Sequence, residues 1–228
     1  MRAEAFRSTP YPRPRAVDVW FDPACPYTWL TVCWLREAAR VRPLELRWHL
    51  MSLSLLNKGR DDDPEGYLMV PVRIGTAVRH HHGQRALARF HASLWADLGP
   101  PGEHGGNTGK WINDPALALA DAELPAELAE VGTSTVYDEE LRDSHTRALR
   151  LLGPRTGTPV VAVEEPEEPH RSPPAFFGPV ISRVPRREEA GQLWDGTLLV
   201  TGTPGFHELK GRPADPDPDV TGQDIDPS

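Results

Sequence analysis

Residues 17–21 alternate between two sets of positions, as they do in a β-strand, with two valines and Phe21 on one side and Asp18 and Trp20 on the other. This period of two predicts a strand that ends before Asp22. Beyond the turn, apolar residues recur at roughly helical spacing, at Leu30, Cys33, Trp34, Ala38 and Val41. The start of the chain is therefore predicted to pass directly from a strand into a helix.

The same patterns predict the remaining elements. Leu44 to Leu50 alternates as a second strand does, which completes a β-α-β unit. Helical patterns follow, and then two short strands and a last helix. The predicted helices cover 67–98, 115–122, 125–131, 136–152 and 186–194, and the predicted strands cover 160–163 and 175–177.

Cys25 lies where the first strand turns into the first helix. It is a candidate N-cap residue, and Pro26 would take the first helical position, where its missing N–H costs nothing. The free amides of the first turn and the positive end of the helix dipole would then face the sulfur and favour the thiolate over the thiol. Since the thiolate is the nucleophilic form, Cys25 is the candidate reacting group.

The spacing of the two cysteines predicts a site with one reacting thiol. Dithiol oxidoreductases carry a second cysteine three residues after the first, and here Thr28 holds that position. Cys33 lies about 12 Å further along a continuous helix, whereas bridged Cα atoms lie within about 7 Å. We interpret Cys33 as a buried apolar residue. The Thr28 hydroxyl is a candidate donor to the Cys25 sulfur, where it would stabilise the thiolate.

A second feature lies more than a hundred residues later. Gly157, Thr158 and Pro159 open the apolar run 160–163, and the first position of a strand is one of the few that accept proline. A Cys-Pro pair at a strand-to-helix turn, followed far along the chain by Thr-Pro before a strand, resembles the thioredoxin fold in its DsbA-type form. In that context we expect a cis peptide before Pro159, with the proline beside the thiol.

Further segments make the resemblance more specific. From about residue 16 to residue 210 the chain resembles the actinobacterial mycothiol-dependent nitroreductases. The matching segments are Trp20–Pro23, Arg47–Leu53, Gly157–Pro159, Phe176–Val180, Pro185 and Glu188–Gly191. That family carries Cys-Pro-Trp-Cys, so Thr28 is a departure from its pattern. The departure puts dithiol cycling in doubt and leaves thiol exchange at Cys25 intact.

The resemblance implies an α/β protein with a thioredoxin-like fold and an inserted all-helical subdomain, as in DsbA-type proteins. We expect the thioredoxin-like domain to comprise residues 16–57 and 155–210, and the helical insertion to comprise 58–154. The segments 1–15 and 211–228 are expected to be disordered tails, the second because proline, glycine and aspartate predominate there. The charged, proline-rich stretch 164–174 is expected to be a solvated loop.

For function, the single candidate thiol predicts a monothiol oxidoreductase. The resemblance implies that it takes its electrons from mycothiol and reduces nitroaromatic or mixed-disulfide substrates. Cys25 would exchange thiols, and Pro26, Tyr27 and Thr28 would complete the catalytic turn. The backbone at Thr158 and Pro159 would contact the bound thiol, and Trp29 would line the cleft beside it. The resemblance also suggests a homodimer, which the sequence itself does not test.

Two alternatives stay open at this stage. One is a thiol-cofactor-dependent isomerase or transferase of the same fold, in which the site activates the sulfur of the cofactor. Thr28 would suit such a site, although a serine usually stands there in place of Cys25. The other is a redox-inactive binding module, for which Cys25 would have an ordinary pKa near 8.5.

Composition and charge exclude several other classes. The formal net charge is −8, but most of the excess lies in 164–171 and 212–226, so neither nucleic acid nor an anionic membrane is an expected partner. No apolar run serves as a signal-peptide core or spans a bilayer, and we expect a cytoplasmic protein.

Consecutive helical residues point about 100° apart, so His80–His82 is not expected to hold a metal. The loop 105–110 lacks the ending of a phosphate-binding loop, so no nucleotide is expected.

Overall fold

The computed structural model describes residues 14–58, 63, 66–96, 112–164, 174–211 and 217–223. Three segments named above fall largely or wholly outside the described residues. They are the N-terminal tail up to residue 13, the charged stretch 165–173 and the glycine-rich loop 105–110.

A four-stranded sheet forms the centre of the molecule. Its strands are β1 (Arg15–Phe21), β2 (Leu44–Leu50), β3 (Val160–Val163) and β4 (Ala175–Phe177), in the order β2-β1-β3-β4. β1 pairs in parallel with β2, and β3 runs antiparallel to both β1 and β4. All four predicted strands are confirmed. Because β1 is central, the turn at its carboxyl end is covered by elements from both halves of the chain.

Two helices from opposite ends of the sequence pack together. These are α1 (Pro26–Ala39) and α6 (Glu188–Thr201), and the indole N–H of Trp34 on α1 donates to the Ala190 carbonyl oxygen at 3.0 Å. The rings of Trp34 and Trp194 lie 6.1 Å apart in the core. The predicted last helix is confirmed, but it begins at residue 188 and continues to residue 201. A helix-to-helix contact of this kind fixes α1 against the body of the protein.

Between β2 and β3 the described residues form helices joined by turns and irregular segments, and no strand. It contains α2 (Leu53–Leu56), α3 (Met69–Leu94), α4 (Pro115–Asp121), a 3₁₀ helix (Ala126–Thr133) and α5 (Asp138–Leu152). The prediction for 67–98 misses a break in α3, where Gly83 has φ of 79°. None of the helices among the described residues is long and apolar enough to cross a membrane. A sheet with this strand order and a helical insertion is the arrangement that the resemblance predicts, and the domain bounds given above stay a prediction.

Residues 217–223 form an ordered segment that packs against the domain. The Asp219 amide donates to the Ser182 carbonyl oxygen at 2.9 Å, and the Trp29 indole N–H donates to the Val220 carbonyl oxygen at 3.4 Å. The Val220 side chain is buried in the hydrophobic core. The prediction of a disordered tail from residue 211 is therefore wrong for this segment. Val220 anchors the segment because its side chain packs into the hydrophobic core, although the average composition of the segment is that of a disordered chain.

We expect the Val220→Ala variant to lose about 1 to 2 kcal/mol of unfolding free energy, because two buried methyl groups are removed and a cavity remains. Val180 is 50% exposed, and Val180→Ala should change the unfolding free energy by less than about 0.5 kcal/mol. Urea unfolding of the two variants and the wild type measures both values. Equal losses would contradict the assignment of Val220 to the core.

Candidate active site

Cys25 caps the amino terminus of α1. Its backbone is extended, with φ of −85° and ψ of 117°, and Pro26 occupies the first turn. The Cys25 carbonyl oxygen accepts the first helical hydrogen bond from the Trp29 amide at 3.0 Å, and the Cys25 amide donates to the Asp22 carbonyl oxygen at 3.2 Å. The predicted positions of Cys25 and Pro26 at the helix start are confirmed.

The cis peptide expected before Pro159 is present, and it leads into β3. The hydroxyl oxygens of Thr158 and Thr28 lie 3.1 Å apart, and the Asp22 amide donates to the Thr158 hydroxyl oxygen at 3.1 Å. The fold therefore brings the turn that carries Cys25 together with the loop before β3, as the sequence predicts. The roles assigned to these residues stay predictions.

The Asp22 carboxyl group is a feature that the sequence analysis missed. It is fully buried, and its two oxygens accept hydrogen bonds from the Ala24 amide at 2.8 Å and the Leu53 amide at 2.6 Å. Asp22 thus ties the turn before Cys25 to the start of α2. Burial raises its pKa to about 7, against the opposing effect of these two amides. An aspartate one residue before a proline is common in turns, so the sequence signal was weak.

The expectation that the helix start favours the Cys25 thiolate is not met in this conformation. Cys25 is only 7% exposed, and burial raises the pKa of its thiol. Hydrogen bonding to Thr28 and to the Tyr27 amide lowers the pKa, and the negative charge of Asp22 raises it. The loss of water around the sulfur outweighs the local donors, because a thiolate depends on solvation more than a thiol does.

Cys33 lies in the core, as predicted. It is 3% exposed, both cysteines are free, and burial raises the pKa of the Cys33 thiol. The chain has two cysteines in all, so Cys33 is the other candidate for a second redox thiol. Its burial makes it a packing residue.

Trp29 is placed differently from its predicted position beside an open cleft. It is 2% exposed, its ring stacks on Trp95 at 5.8 Å, and His91 meets it edge-on at 5.1 Å. Trp29 therefore packs behind the active-site turn, because its large ring fills the space between α1 and the helical insertion. Tyr27 is half-buried and lies at the rim of the turn.

The other histidines that the sequence singles out lie in ordinary environments. His49 contacts the Asp18 carboxylate at 2.6 Å, and the exposed His80 contacts Glu140 at 2.8 Å. Across the described ranges, no group of three or more His, Cys, Asp or Glu side chains is placed to hold a metal ion. The histidines 80–82 add nothing to the site around Cys25.

The sheet order, the helical insertion, the cysteine at the start of α1 and the cis proline define a thioredoxin-like fold of the DsbA type. Residues 24–211 match the family model of the Rv2466c-like proteins, described as mycothiol-dependent nitroreductase Rv2466c. The chain belongs to this family.

Individual proteins resemble the chain more distantly. Uncharacterized protein Rv2286c of Mycobacterium tuberculosis is 28% identical over 222 residues, which cover 92% of this chain and 88% of that protein. The cytosolic disulfide reductase DsbM of Pseudomonas aeruginosa with GSH is 16% identical, with a TM-score of 0.46 and coverage of 81% of this chain and 99% of that chain. The probable DsbA oxidoreductase SCO1869 of Streptomyces coelicolor is 15% identical, with a TM-score of 0.49 and coverage of 88% and 94%.

Asp22 predicts a dependence of stability on pH. Its pKa is about 7 in the folded protein and has an ordinary value of 3.8, so the folded state holds this proton more tightly. The stabilisation of the folded state by this proton is complete below pH 3.8 and is lost as the pH rises to about 7. We expect the unfolding free energy of the wild type, minus that of Asp22→Asn, to fall by up to about 1.4 kcal/mol per pH unit within this window.

Urea unfolding at a series of pH values measures this difference. Asp121 is exposed, and Asp121→Asn is the control that removes the same charge from the surface. A wild-type curve parallel to that of Asp22→Asn at every pH would refute the raised pKa.

Proposed function

We propose that this protein is a cytoplasmic monothiol thiol–disulfide oxidoreductase that uses mycothiol as its reductant and Cys25 as its reacting thiol. The observation that carries the proposal is the position of Cys25 as the cap of α1, with Thr28 in the place of a second thiol and in contact with the loop before cis-Pro159. Family membership supports mycothiol as the thiol. The place of Cys33 in the hydrophobic core cluster, to which Cys25 does not belong, supports a single reacting sulfur.

The proposed reaction on a mixed disulfide has two exchange steps. In the first step the Cys25 thiolate attacks the mycothiol sulfur of the substrate, a new sulfur–sulfur bond forms, and the released thiolate takes a proton. In the second step the thiolate of another mycothiol attacks the mycothiol sulfur bound to Cys25. Mycothiol disulfide leaves, and Cys25 is restored. The two steps together consume one free mycothiol, release the thiol of the substrate in its reduced form, and carry the mycothiol half of the substrate away in mycothiol disulfide.

Nitroaromatic compounds are the second substrate class in the proposal, and they rest on the family description alone. Two mycothiol molecules supply two electrons and two protons, the nitro group loses one oxygen as water and becomes a nitroso group, and mycothiol disulfide is the oxidised product. The chain's own contribution is to bind mycothiol at Cys25.

Each residue of the turn has a proposed part in these steps. Pro26 starts the helix, Tyr27 lies at the rim where a substrate approaches, and Thr28 donates to the sulfur. The backbone of Thr158, just before cis-Pro159, contacts the bound thiol. Since Trp29 is buried against Trp95, we now assign it the role of holding the turn in place.

The intact mass of the protein after incubation with mycothiol disulfide tests the proposal. We expect one mycothiol adduct on the wild type, because Cys25 is the one sulfur proposed to exchange, and its removal by reduced mycothiol. Cys25→Ser should form no adduct, and Cys33→Ser should behave as the wild type does.

An adduct on Cys33, or none on a wild type whose Cys25 is reduced, would contradict the proposal. Activity with a thiol cofactor that survives in Cys25→Ser would favour the isomerase or transferase instead. Normal partner binding in a variant that lacks the thiol would favour the binding module.

Thr28→Cys gives a second prediction. It places a thiol one helical turn after Cys25, where it attacks the Cys25 sulfur and releases mycothiol without a second mycothiol molecule. We therefore expect the adduct to accumulate on the wild type and to be replaced by an internal disulfide in Thr28→Cys, as measured by intact mass. In the control Thr31→Cys the new thiol lies about 9 Å further along the helix and is out of reach. A stable adduct on Thr28→Cys would show that position 28 does not face Cys25.

A further inference from the structure

The hydroxyl groups of two buried threonines are linked beside Cys25. Thr28 is 0% exposed and Thr158 is 6% exposed, and their oxygens lie 3.1 Å apart. The Thr158 oxygen also accepts the Asp22 amide at 3.1 Å. Three parts of the chain, at residues 22, 28 and 158, thus share one set of hydrogen bonds within the protein.

The direction of these hydrogen bonds depends on the state of the sulfur. A hydroxyl group has one hydrogen and two lone pairs, and the Asp22 amide occupies one lone pair of Thr158. The Thr28 hydroxyl also interacts with the Cys25 sulfur, so its one hydrogen has two competing acceptors. A thiolate has no hydrogen and can only accept. When Cys25 is ionised, Thr28 donates to the sulfur, and the hydrogen of Thr158 is left to donate to Thr28.

We propose that Thr158 is a positioning residue for the Cys25 thiolate, because its hydroxyl donates to Thr28 and so directs the one hydrogen of Thr28 at the sulfur. The donors run from the Asp22 amide through Thr158 and Thr28 to Cys25. Ionisation is the only chemical step: the S–H bond breaks, the electron pair stays on sulfur, and the proton passes to solvent. The inference rests on the proposed function, since it takes Cys25 as the reacting thiol.

The burial of both threonines makes their hydroxyl groups hard to replace. Water that entered the space left by a missing hydroxyl would have to reach side chains that are 0% and 6% exposed. Hydrogen bonds to a charged acceptor are about twice as strong as those between neutral groups. The loss of either hydroxyl group therefore destabilises the thiolate form of Cys25 more than it destabilises the thiol form.

The charged groups around Cys25 are the same in all the variants compared below. The Asp22 carboxylate faces Cys25 and disfavours the thiolate, and Asp63 faces Asp22 in turn. From α3, His91 packs against the rings of Phe21 and Trp29, and burial lowers its pKa well below the usual range. No variant replaces any of these groups, and the one that disturbs a bond of Asp22, Thr158→Val, is compared below with Thr158→Ser, which keeps that acceptor.

The test is the pH dependence of the alkylation of Cys25 by iodoacetamide, followed by mass. For Thr158→Val we expect the rate at pH 7 to fall about tenfold, which corresponds to a rise of about one unit in the pKa of Cys25. Thr158→Ser keeps the hydroxyl and should stay within about twofold of the wild type. Thr31 is the matched control, since it is a buried threonine of α1 that bonds to Pro179, and Thr31→Val should leave the profile unchanged.

A double-mutant cycle tests whether Thr158 acts through Thr28. In a Thr28→Val background, Thr158→Val should change the alkylation rate by less than about twofold. A full tenfold effect in that background, an unchanged profile in Thr158→Val, or a failure of Thr158→Ser to restore the rate would each overturn the inference.

Thr158→Val also leaves the Asp22 amide without its acceptor, so circular dichroism must first show that the variant folds. If it does not, the wild type decides the question through the ¹³Cβ chemical shift of Thr158 while Cys25 titrates, with Cys25→Ser as the reference. A shift that follows the ionisation of Cys25 and is absent from the reference supports the inference. A shift that does not change overturns it.

Alkylation requires no mycothiol, so the inference and the proposed function fail separately. A Thr158 effect on alkylation, in a protein that forms no mycothiol adduct, supports the hydrogen-bonded threonines and overturns the proposed function. If the protein exchanges normally with mycothiol and its alkylation rate is unchanged by Thr158→Val, the proposed function is supported and the inference about Thr158 is overturned.

Discussion

The site depends on one constraint, which is that the turn carrying Cys25 is held by residues far away in the sequence. The Asp22 amide has its acceptor on Thr158, 136 positions later, and the Asp22 carboxyl group binds the Leu53 amide. β1 lies between β2 and β3 in the sheet, which brings both partners to its carboxyl end. The turn that carries Cys25 therefore forms together with the pairing of β1 with β2 and β3, because that pairing brings its hydrogen-bond partners into place.

The sequence predicted those features that depend on local chemistry. Strand β2 follows from alternation, strand β3 from the apolar run after Pro159, and the cap at Cys25 from proline at the first helical position, and the structure confirms all three. The prediction that the helix start favours the Cys25 thiolate was wrong. Burial by elements distant in the sequence raises the pKa of the thiol more than the hydrogen bonds at the helix start lower it. Asp22 and Val220 were missed for the same reason, since their positions are set by contacts with parts of the chain that no local pattern describes.

Two neighbouring groups at this site both favour their neutral forms. Burial raises the pKa of the Cys25 thiol and of the Asp22 carboxyl group, and the charge of one disfavours the charge of the other. In the conformation described here burial therefore favours the thiol form of Cys25, and the Thr28 hydroxyl lies beside it. Thiolate formation and access to the sulfur are then favoured by the same change, which is the entry of water or of a polar substrate.

The segment 217–223 lies beyond residues 24–211, the part of the chain that matches the family model. Yet its Val220 carbonyl oxygen accepts a hydrogen bond from Trp29, one helical turn after Cys25. A chain trimmed at residue 211 would therefore lose a buried hydrogen bond on α1, the helix that follows Cys25.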